Sequence, residues 1–554
     1  MATPSLPCAN YRPYGTSCQN AGTSGCIHCR LVVYCSSKCQ EAHWPFHEAH
    51  CTSPMNSDKW KPAWVLEKRT PSFIRAVNDP SPAPVRGTSC LWGGVPALDI
   101  LKLDTNEGES YEGKLSLLFA ASGDMRNVVK TIAELPPGWD QPIDITMNDA
   151  DLAVVARNAI ILFIAFSAED ESEAIDCIIH MWYSSLIRES DRAILKQRIR
   201  PKIQAVTDQI KGLPANMLFK KDWSRGKLSL RLSLTKAAWD KLLSYATVPE
   251  GLTMERANRI RNAVTLAESR IDYLERQYLF TIPSHRVPKK RFREDGILRP
   301  FGAQGSEFSI PNPTFFQSPF HWPMLDWSDP LYGWSMKEVD ETENGPATFD
   351  IYGKLLTYLR SVLRTFMSHM KNTEISLKLL NVEATELTSQ LEWGSFDRIE
   401  VSNICDNIHL GTRRTVLHMA PLLRSSADNP HATLITLFQT TISNEMTKED
   451  RDDLLMGGRA YNEAFAVLSD NHPMGPLNTE WDGLVVQAMH ASAWFRTFDH
   501  IYDKITPKPK LHDYPVEFNV EIKDQNTIIE KLPFRLKRRV GQEDAKQELL
   551  CMMV

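Results

Sequence analysis

The spacing of hydrophobic residues changes along the chain, and each change predicts a different element. Residues 115–121 form a compact apolar run, which is typical of a buried strand. A small-residue turn follows at 122–124, and residues 125–135 then carry apolar side chains at helical intervals. The next unit repeats this order, with a strand over 143–147 and a turn at 148–149 before a long apolar helix. Alternating strands and helices predict a parallel sheet that is covered on both faces.

Three later segments have the same strand character after a long interval. Residues 374–387, 396–407 and 429–438 each contain a short apolar or alternating run that ends in polar residues. The predicted sheet is therefore interrupted by residues 167–370, whose apolar positions are mostly at helical spacing. Alternation with a period of two returns at 516–526 and predicts an antiparallel hairpin near the end of the chain.

These patterns divide the chain into six parts. They are a cysteine-rich segment at 1–55, a linker at 56–88, the first half of an α/β domain at 89–166, a mostly helical insertion at 167–370, the second half of the α/β domain at 371–480, and a hairpin with a basic tail at 481–554. The linker is assigned because it is rich in proline, serine and charge.

Composition narrows the classes of partner. The 554 residues carry a formal net charge of -5 and have a sequence pI of about 6.3, so nucleic acid is an unlikely partner because it usually requires a basic face. The most apolar run, Leu152–Phe166, is too short to cross a bilayer, and no membrane association is predicted. We expect a cytoplasmic protein. The basic residues 535–539 resemble a nuclear-import patch and make the nucleus the alternative.

Two segments of the insertion have more than one interpretation. Residues 285–293 are strongly basic, so they form either a solvated loop or a contact with phosphate. The solvated loop is favoured, because short charged runs are common at surfaces and no aromatic stacking platform accompanies this one. Residues 310–334 combine many prolines with many aromatic residues, and such a stretch either wraps over a core or covers a pocket. Packing on the core is the default interpretation.

Cysteine is concentrated at the N-terminus, where seven of the 11 cysteines lie in the first 51 residues. In a reducing compartment such a cluster predicts a metal site more than a set of disulfides. The spacing supports metal, with a C-x2-C pair at 26 and 29, a C-x3-C pair at 35 and 39, and an H-x3-C pair at 47 and 51. With positions 8 and 18 there are eight ligands, which is enough for two closed, four-coordinate structural zinc ions.

The stretch "YCSSKCQEAHWPFHEAHC" resembles the second half of a MYND finger. The shared features are the Tyr-Cys pair, the Cys-Gln pair and Trp44, which precedes His47 by three residues. The resemblance implies interleaved ligands, with one zinc on Cys8, Cys18, Cys35 and Cys39 and the other on Cys26, Cys29, His47 and Cys51. The chain departs from the family at its first pair, where nine residues separate the two cysteines in place of two.

His43 and His50 stay open as alternatives to His47 at the metal. His43 lies one turn before His47 in the predicted helix and could face the same ion. The family pattern of Trp44 followed by a histidine favours His47. The resemblance also implies a binding function, because MYND fingers dock short, often proline-containing, peptides of partner proteins.

The α/β part resembles a Rossmann-type methyltransferase fold. The turn that contains Gly123 and Asp124 lies where such enzymes bind S-adenosylmethionine, and Asp149 follows 25 residues later, close to the position of a ribose-binding acid. "FDRI" at 396–399 resembles the fourth-strand signature of that class. The turn has one glycine where the family usually has three. The alternatives are a retained fold with a lost pocket and, for Asp149, a role in capping the following helix.

A second resemblance covers residues 89–165 and extends more loosely to about 440. "LWGGVPALDILKLDTNEGES", "GDMRNVVKTI" and "NDADLAVVARN" are similar to the N-terminal domain of axonemal dynein assembly factors and to fungal proteins that join this domain to a MYND finger. The resemblance implies a methyltransferase-like fold.

Two functions follow from these observations. The first is a zinc-binding interaction or assembly protein, in which the finger recruits a peptide and the methyltransferase-like domain is a scaffold. The alternative is an S-adenosylmethionine-dependent methyltransferase that acts on a protein substrate. Spacing identifies no nucleophile and base, so no catalytic residue is predicted.

Overall fold

The computed structural model describes residues 6–11, 17–75, 89–469, 482–496, 500–501, 520–529, 545–546 and 549. Within these residues, no helix combines the length and the apolar character that crossing a membrane requires.

The strands are β1 Ser24–Gly25, β2 Val33–Tyr34, β3 Leu115–Phe119, β4 Ile143–Asn148, β5 Leu186–Arg188, β6 Leu218–Arg225, β7 Leu228–Thr235, β8 Phe308–Pro311, β9 Ile375–Leu380, β10 Arg398–Glu400 and β11 Thr433–Ile435. The helices up to the middle of the chain are α1 Ser37–Cys51, α2 Ala63–Leu66, α3 Ser72–Arg75, α4 Arg126–Ala133, α5 Leu152–Phe166, α6 Glu171–Tyr183, α7 Glu189–Ile194, α8 Arg200–Gln209, α9 Lys236–Tyr245 and α10 Met254–Thr265. The later helices are α11 Ile271–Leu279, α12 Pro283–Asp295, α13 Met336–Asp340, α14 Ile351–Asn372, α15 Leu387–Gln390, α16 Thr412–Met419, α17 Thr441–Glu445, α18 Lys448–Leu454, α19 Arg459–Leu468 and α20 Gly483–Ala491. A π-helical turn at Leu195–Ile199 joins α7 to α8. Short 3-10 helices lie at Pro54–Asn56, Leu103–Thr105, Glu268–Arg270, Pro330–Gly333, Ala384–Glu386, Ala420–Leu422 and Ser492–Phe495.

The large domain is built on a seven-stranded sheet in the order β11-β10-β3-β4-β9-β7-β6. Every neighbouring pair is parallel except the hairpin β6–β7. All five residues of β3 are buried, so the sheet is covered on both faces at its centre. The chain order reverses between β3 and β10, which makes the carboxyl ends of these two strands the topological switch point of the sheet.

The prediction of a mostly parallel α/β sheet is confirmed. Four of its parallel core strands lie within the predicted segments, and the fifth, β4, extends one residue beyond its predicted end. The run Leu152–Phe166 is the buried helix α5, with 13 of its 15 residues buried. This helix packs against α6, α9 and β7. The helix that follows β3, α4, packs against α14 instead. A helix that is apolar on all sides needs such complete enclosure.

The insertion differs from the prediction in holding two pairs of strands, and it forms a separate antiparallel pair from β5 and β8. It is mostly helical, but it also contributes the hairpin β6–β7, which extends the main sheet beyond β9. The signal is present in the sequence "LSLRLSLT" of β7, where leucines alternate with polar residues. The four leucines of β7 are buried, and β6 forms the solvent-exposed edge with lysine, aspartate and arginine side chains.

The predicted linker is ordered in its first part. Trp64 is fully buried among apolar residues that include Tyr461 and Val485. Arg69 donates two hydrogen bonds to Asp272 of α11, at 2.7 and 2.8 Å. Residues 60–75 therefore pack on the large domain, because their aromatic residues supply the apolar area that a flexible linker lacks. Residues 76–88 lie outside the described part of the chain.

The predicted C-terminal hairpin is described only in part. Residues 520–529 contain no strand. They pack near the 3-10 helix at Leu103–Thr105, where Thr527 donates a hydrogen bond to Asn106 at 2.7 Å. The remainder of the hairpin and the basic patch at 535–539 lie outside the described residues.

The basic segment 285–293 is not a solvated loop but part of α12. His285, Arg286, Lys289 and Arg293 are buried. The Arg286 guanidinium donates to the carbonyl oxygens of Tyr278 and Thr281, and the Lys289 ammonium lies 3.6 Å from an Asp329 carboxylate oxygen. The solvated-loop interpretation was wrong because α12 is enclosed by other segments of the chain, where Lys289 meets Asp329 and Arg286 also donates to the Ser57 carbonyl at 3.0 Å.

Candidate metal centre

The first group of ligands joins four cysteines from three parts of the finger. Their sulfur atoms all lie within 4.8 Å of one another, and the residues are Cys8, Cys18, Cys35 and Cys39. Cys35 follows β2, and Cys39 lies in the first turn of α1 after the N-cap Ser36. The Cys35 sulfur is 3.6 Å from that of Cys18 and 3.5 Å from that of Cys39. The backbone N–H of Cys35 also points to the Cys8 sulfur at 3.4 Å.

The second group is buried, and it contains Cys26, Cys29, His47 and Cys51. His47 and Cys51 lie one turn apart on the same face of α1. The Cys29 sulfur lies 3.3 Å from His47 Nε2, and the Cys26 sulfur lies 3.7 Å from that of Cys51. The structure thus brings the predicted residues together in the interleaved order that the family resemblance implies.

Hydrogen bonds between neighbouring thiols favour one thiolate in each group, at Cys35 in the first and at Cys26 in the second. Bonds from the thiols of Cys39 and Cys18 lower the pKa of Cys35 to about 7. In the second group, the Cys29 thiol lowers the pKa of Cys26 to about 3, while the same bond raises the pKa of Cys29. The thiolate is the form of cysteine that binds metal.

His43 and His50 lie outside both groups. The Tyr34 hydroxyl and His43 Nδ1 form a hydrogen bond of 2.9 Å. Burial lowers the pKa of His43 to about 4, so this ring is neutral at physiological pH. The ring of His50 packs edge-on against Phe301 of the large domain, with 5.4 Å between centroids. Of the three histidines in α1, the structure therefore places His47 at the sulfurs.

The two groups fit two zinc ions. Four sulfurs in one group and three sulfurs with one imidazole nitrogen in the other are the donor sets of closed tetrahedral zinc sites. Four protein ligands leave no coordination position for a substrate or a reactive water. Metal at these positions would therefore cross-link β2, α1 and the preceding loops rather than catalyse a reaction.

The finger is seated directly on the large domain. Apolar residues of the finger, among them Leu31 and Val32, share a core with Tyr278, Val287 and Phe301 of the large domain. The approach is close at Gly25, where a β-carbon would lie 2.6 Å from the carbonyl oxygen of Pro346.

Polar contacts fix the same orientation. The Ser17 hydroxyl donates to Gln304 at 2.7 Å, and the N–H of Phe349 donates to the Arg30 carbonyl at 3.2 Å. The Arg30 guanidinium also lies over the Phe349 ring at 5.5 Å. Several contacts of different kinds therefore hold one face of the finger against the α/β domain.

The predicted cofactor residues lie near the switch point and are engaged by the protein itself. The Gly123 N–H donates to Asp149 Oδ2 at 3.0 Å, and the Gly123 carbonyl accepts from the Asn158 side chain at 2.8 Å. Gly123 has a φ of +54°, and the space that a β-carbon would occupy there is open. Asp149 directly follows β4 and also accepts from the Asp151 N–H, and burial raises the pKa of Asp149. The N-cap of α5 is Asp151, not Asp149.

Asp124 is buried and satisfied by three neighbours. One of its oxygens pairs with the Arg126 guanidinium at 2.8 Å. The other accepts from the Gly93 N–H at 3.1 Å and from the Trp182 indole N–H at 3.3 Å. The segment around Gly93 thus covers the start of α4, where a dinucleotide fold binds phosphate.

Glu400 is the residue at the switch point that the sequence analysis missed. It ends β10, it is 1% exposed, and its Oε1 accepts from the Ser402 N–H at 2.7 Å. Its Oε2 is buried and accepts no hydrogen bond from the described residues. Burial raises the pKa of Glu400 to about 7, although the Ser402 amide and the Arg126 charge oppose the shift. The sequence around Glu400 does not predict this pKa shift, because the shift depends on burial by segments that are distant along the chain.

Glu400→Gln is expected to reduce the pH dependence of stability. The folded-state pKa of about 7 lies above the ordinary value of 4.5, so ionisation destabilises the fold increasingly between these two pH values. The native protein should lose stability as the pH rises from 4.5 to 8, and the variant should not show this loss. We therefore expect the free energy of unfolding of the variant minus that of the native protein to increase by about 1 to 3 kcal/mol over this range. Urea unfolding across this range measures the change.

The matched control is Glu392→Gln, because Glu392 is an exposed glutamate that lies six residues before β10. It should leave the pH dependence as it is in the native protein. If the free energy of unfolding of Glu400→Gln depends on pH in the same way as that of the native protein, the pKa of Glu400 is not raised.

Two segments of the chain match known families. Residues 16–51 match the MYND finger, and residues 91–187 match a domain of unknown function, DUF4470. Cys8 lies outside the matched finger segment, and the structure brings it to the site through the bond from the Cys8 N–H to the Asn20 carbonyl at 2.9 Å. No curated protein and no solved structure matches the chain significantly.

Proposed function

We propose that the chain is a zinc-binding interaction or assembly protein in which the finger binds a short, proline-containing peptide of a partner. In this proposal the α/β domain is the scaffold that carries the finger. One observation supports it above the others: two complete sets of zinc ligands lie in a finger that matches the MYND family and is seated on the large domain. MYND fingers generally mediate protein–protein interactions.

The seating of the finger is suited to binding. A surface that is already ordered loses less conformational entropy when a peptide binds, so more of the contact energy becomes affinity. Zinc would order the finger internally, and the shared core with Phe301 and Tyr278 would fix its position. The large domain thus performs a structural task that needs no catalytic chemistry.

Two exposed apolar side chains of the finger are the proposed peptide contacts. Ile27 is 78% exposed and lies in the loop between Cys26 and Cys29. Phe46 is 45% exposed and precedes the ligand His47 in α1. Zinc on the neighbouring ligands would fix the backbone at these two positions, so their side chains would present apolar surface against which proline can pack.

A peptide selection tests the proposal. A displayed library of short peptides is panned against the full chain with zinc bound, and selected peptides are measured by fluorescence anisotropy. We expect proline-containing peptides to be enriched and Ile27→Ser or Phe46→Ser to weaken their binding about tenfold or more, because each removes a large apolar contact.

Glu48→Ser is the matched control, because Glu48 is exposed on the same helix but is not apolar. It should bind the selected peptides like the native chain. Zinc content must stay unchanged in all three variants. If the selected peptides bind equally well after a chelator has removed the zinc, the finger is not the binding site and the proposal fails.

The alternative function is an S-adenosylmethionine-dependent methyltransferase that acts on a protein substrate. The strand order with its reversal beside β3, the open space at Gly123 and the position of Asp149 after β4 favour it. The engagement of Asp124 by Arg126, Gly93 and Trp182 weighs against it. Calorimetric titration with S-adenosylmethionine separates the two functions. The methyltransferase alternative requires submillimolar binding, whereas a lack of binding to the zinc-loaded protein favours the scaffold.

Further expectations accompany the proposal. The resemblance of residues 89–165 to axonemal dynein assembly factors and to fungal finger proteins stays a prediction, and it agrees with an assembly role. A cytoplasmic location, with the nucleus as the alternative, also stays a prediction. Nucleic acid is an unlikely partner because the net charge is -5.

A further inference from the structure

A surface groove lies on the large domain between α10 and the aromatic-rich segment 310–334. Its volume is about 670 Å³, which is within the range of pockets that bind small ligands or anchor side chains. One wall is formed by Arg256, Arg259 and Ile260 of α10, and the other by Pro319, Phe320 and Trp322. The lining thus combines apolar side chains with cations.

The floor of the groove is fixed, and its rim is exposed. Trp322 is 2% exposed and stacks on Phe315 with 5.1 Å between ring centroids. Phe320, only two residues earlier, is 77% exposed. The Arg256 guanidinium lies 5.1 Å from the centre of the Phe320 ring, so a cation–π contact holds this exposed ring beside the groove.

The charges of the groove are all of one sign. Its lining contains two arginines and His321 but no carboxylate. Among the described residues, no carboxylate lies within ion-pair distance of Arg256 or Arg259, whereas the exposed Arg192 on α7 pairs with Glu189 at 2.6 Å. Hydrogen bonds at the start of α10, and more weakly the Arg259 charge, lower the pKa of Glu255, which lies outside the lining. A cationic groove on a chain with a net charge of -5 selects for an acidic ligand.

We propose that this groove binds an acidic segment of a partner protein that carries a large apolar side chain between carboxylates. The apolar side chain would pack between Ile260 and Phe320, and the carboxylates would pair with Arg256 and Arg259. This second protein-binding site goes beyond the proposed function of the finger and does not depend on it.

The test uses the full, zinc-loaded chain and a short fluorescein-labelled peptide in which glutamates flank a central phenylalanine. We expect binding by fluorescence anisotropy that weakens with salt, and a loss of about tenfold or more in affinity when Arg256→Glu and Arg259→Glu are combined. Phe320→Ala should weaken binding through loss of the apolar wall. Circular dichroism of each variant verifies that it is folded, which is expected because these substitutions lie at the surface.

Arg364→Glu is the matched control, since Arg364 is an exposed helix arginine that does not line the groove. It should leave the affinity for the glutamate peptide unchanged. The doubly reversed variant should keep the native affinity for the proline-containing peptides of the finger, which distinguishes a failure of this site from a failure of the finger.

Three results would overturn the proposal. One is unchanged affinity in the doubly reversed variant, and another is equal binding of a peptide with lysine in place of glutamate. The third is tighter binding of a phosphoserine peptide, of single-stranded DNA or of anionic vesicles, with competition against the glutamate peptide. That result would assign the two arginines to phosphate.

Discussion

Cys29→Ala should release one of the two zinc ions and unfold the finger while the large domain stays folded. Cys29 lies in the buried group with His47, and its loss leaves three ligands for an ion that needs four. The finger has a small apolar core of its own, so metal binding, with an apparent free energy of about 10 kcal/mol or more in zinc-finger peptides, would supply most of its stability. Elemental analysis of the purified full chain measures zinc, and limited proteolysis follows residues 17–51.

The seating of the finger adds a second consequence. Unfolding of the finger uncovers Phe301 and Tyr278 of the large domain, which are 5% and 6% exposed in the intact protein. We therefore expect a lower melting temperature of the large domain without loss of its cooperative transition.

The matched control for this variant is Cys90→Ala, because Cys90 is exposed and belongs to neither ligand group. It should retain two zinc ions per chain and an intact finger. If Cys29→Ala also keeps two zinc ions per chain, Cys29 is not a ligand and the assignment of the second site is wrong.

Arg398→Met is expected to destabilise the large domain by about 3 to 5 kcal/mol, because it leaves a buried carboxylate without its cation. The Arg398 guanidinium pairs with Glu107 at 2.7 Å, and the two side chains are 0% and 1% exposed. It also donates to the carbonyl oxygen of His431 at 2.7 Å. After the substitution, Glu107 still accepts a hydrogen bond from the Asn429 side-chain amide, with 3.0 Å between Nδ2 and Oε1. Chemical denaturation of the full chain measures the loss.

The network around this pair explains why the effect should be large. Asn429 also donates to Asp397 at 2.8 Å, and Asp397 accepts from the Ser116 N–H at 2.7 Å beside the first residue of β3. The Arg398–Glu107 pair therefore joins β10, which lies between β11 and β3 in the sheet, to the loop before β3. A buried charge that loses its partner affects every member of such a network.

Arg231→Met provides the matched control on the same sheet. Arg231 on β7 pairs with Asp222 on β6 at 2.6 Å, but the side chains are 48% and 57% exposed. Solvent screens this pair, so its loss should cost less than about 1 kcal/mol. A second variant that combines Arg398→Met with Glu107→Gln should recover part of the stability, since it removes the unpaired charge. Equal losses in the Arg398 and Arg231 variants would contradict a structural role for the buried pair.

The sequence by itself determined the elements whose signals are local. The zinc-ligand types and their short spacings can be read from the chain, because knuckles such as Cys26 and Cys29 lie within one loop. The same holds for the parallel core, since β3 and β4 are short apolar runs followed by turns and helices. The hairpin β6–β7 could have been recognised from the alternating leucines of Leu228–Thr235.

Only the tertiary structure decided which of these residues meet. It placed Cys8 at the first group of sulfurs and His47, rather than His43 or His50, at the second. It buried the cations of α12, paired Arg398 with Glu107 across 291 residues of chain, and enclosed Glu400. The physical reason is that burial, charge pairing and pKa shifts depend on neighbours that are distant in sequence, whereas hydrophobic periodicity and ligand spacing depend on adjacent residues alone.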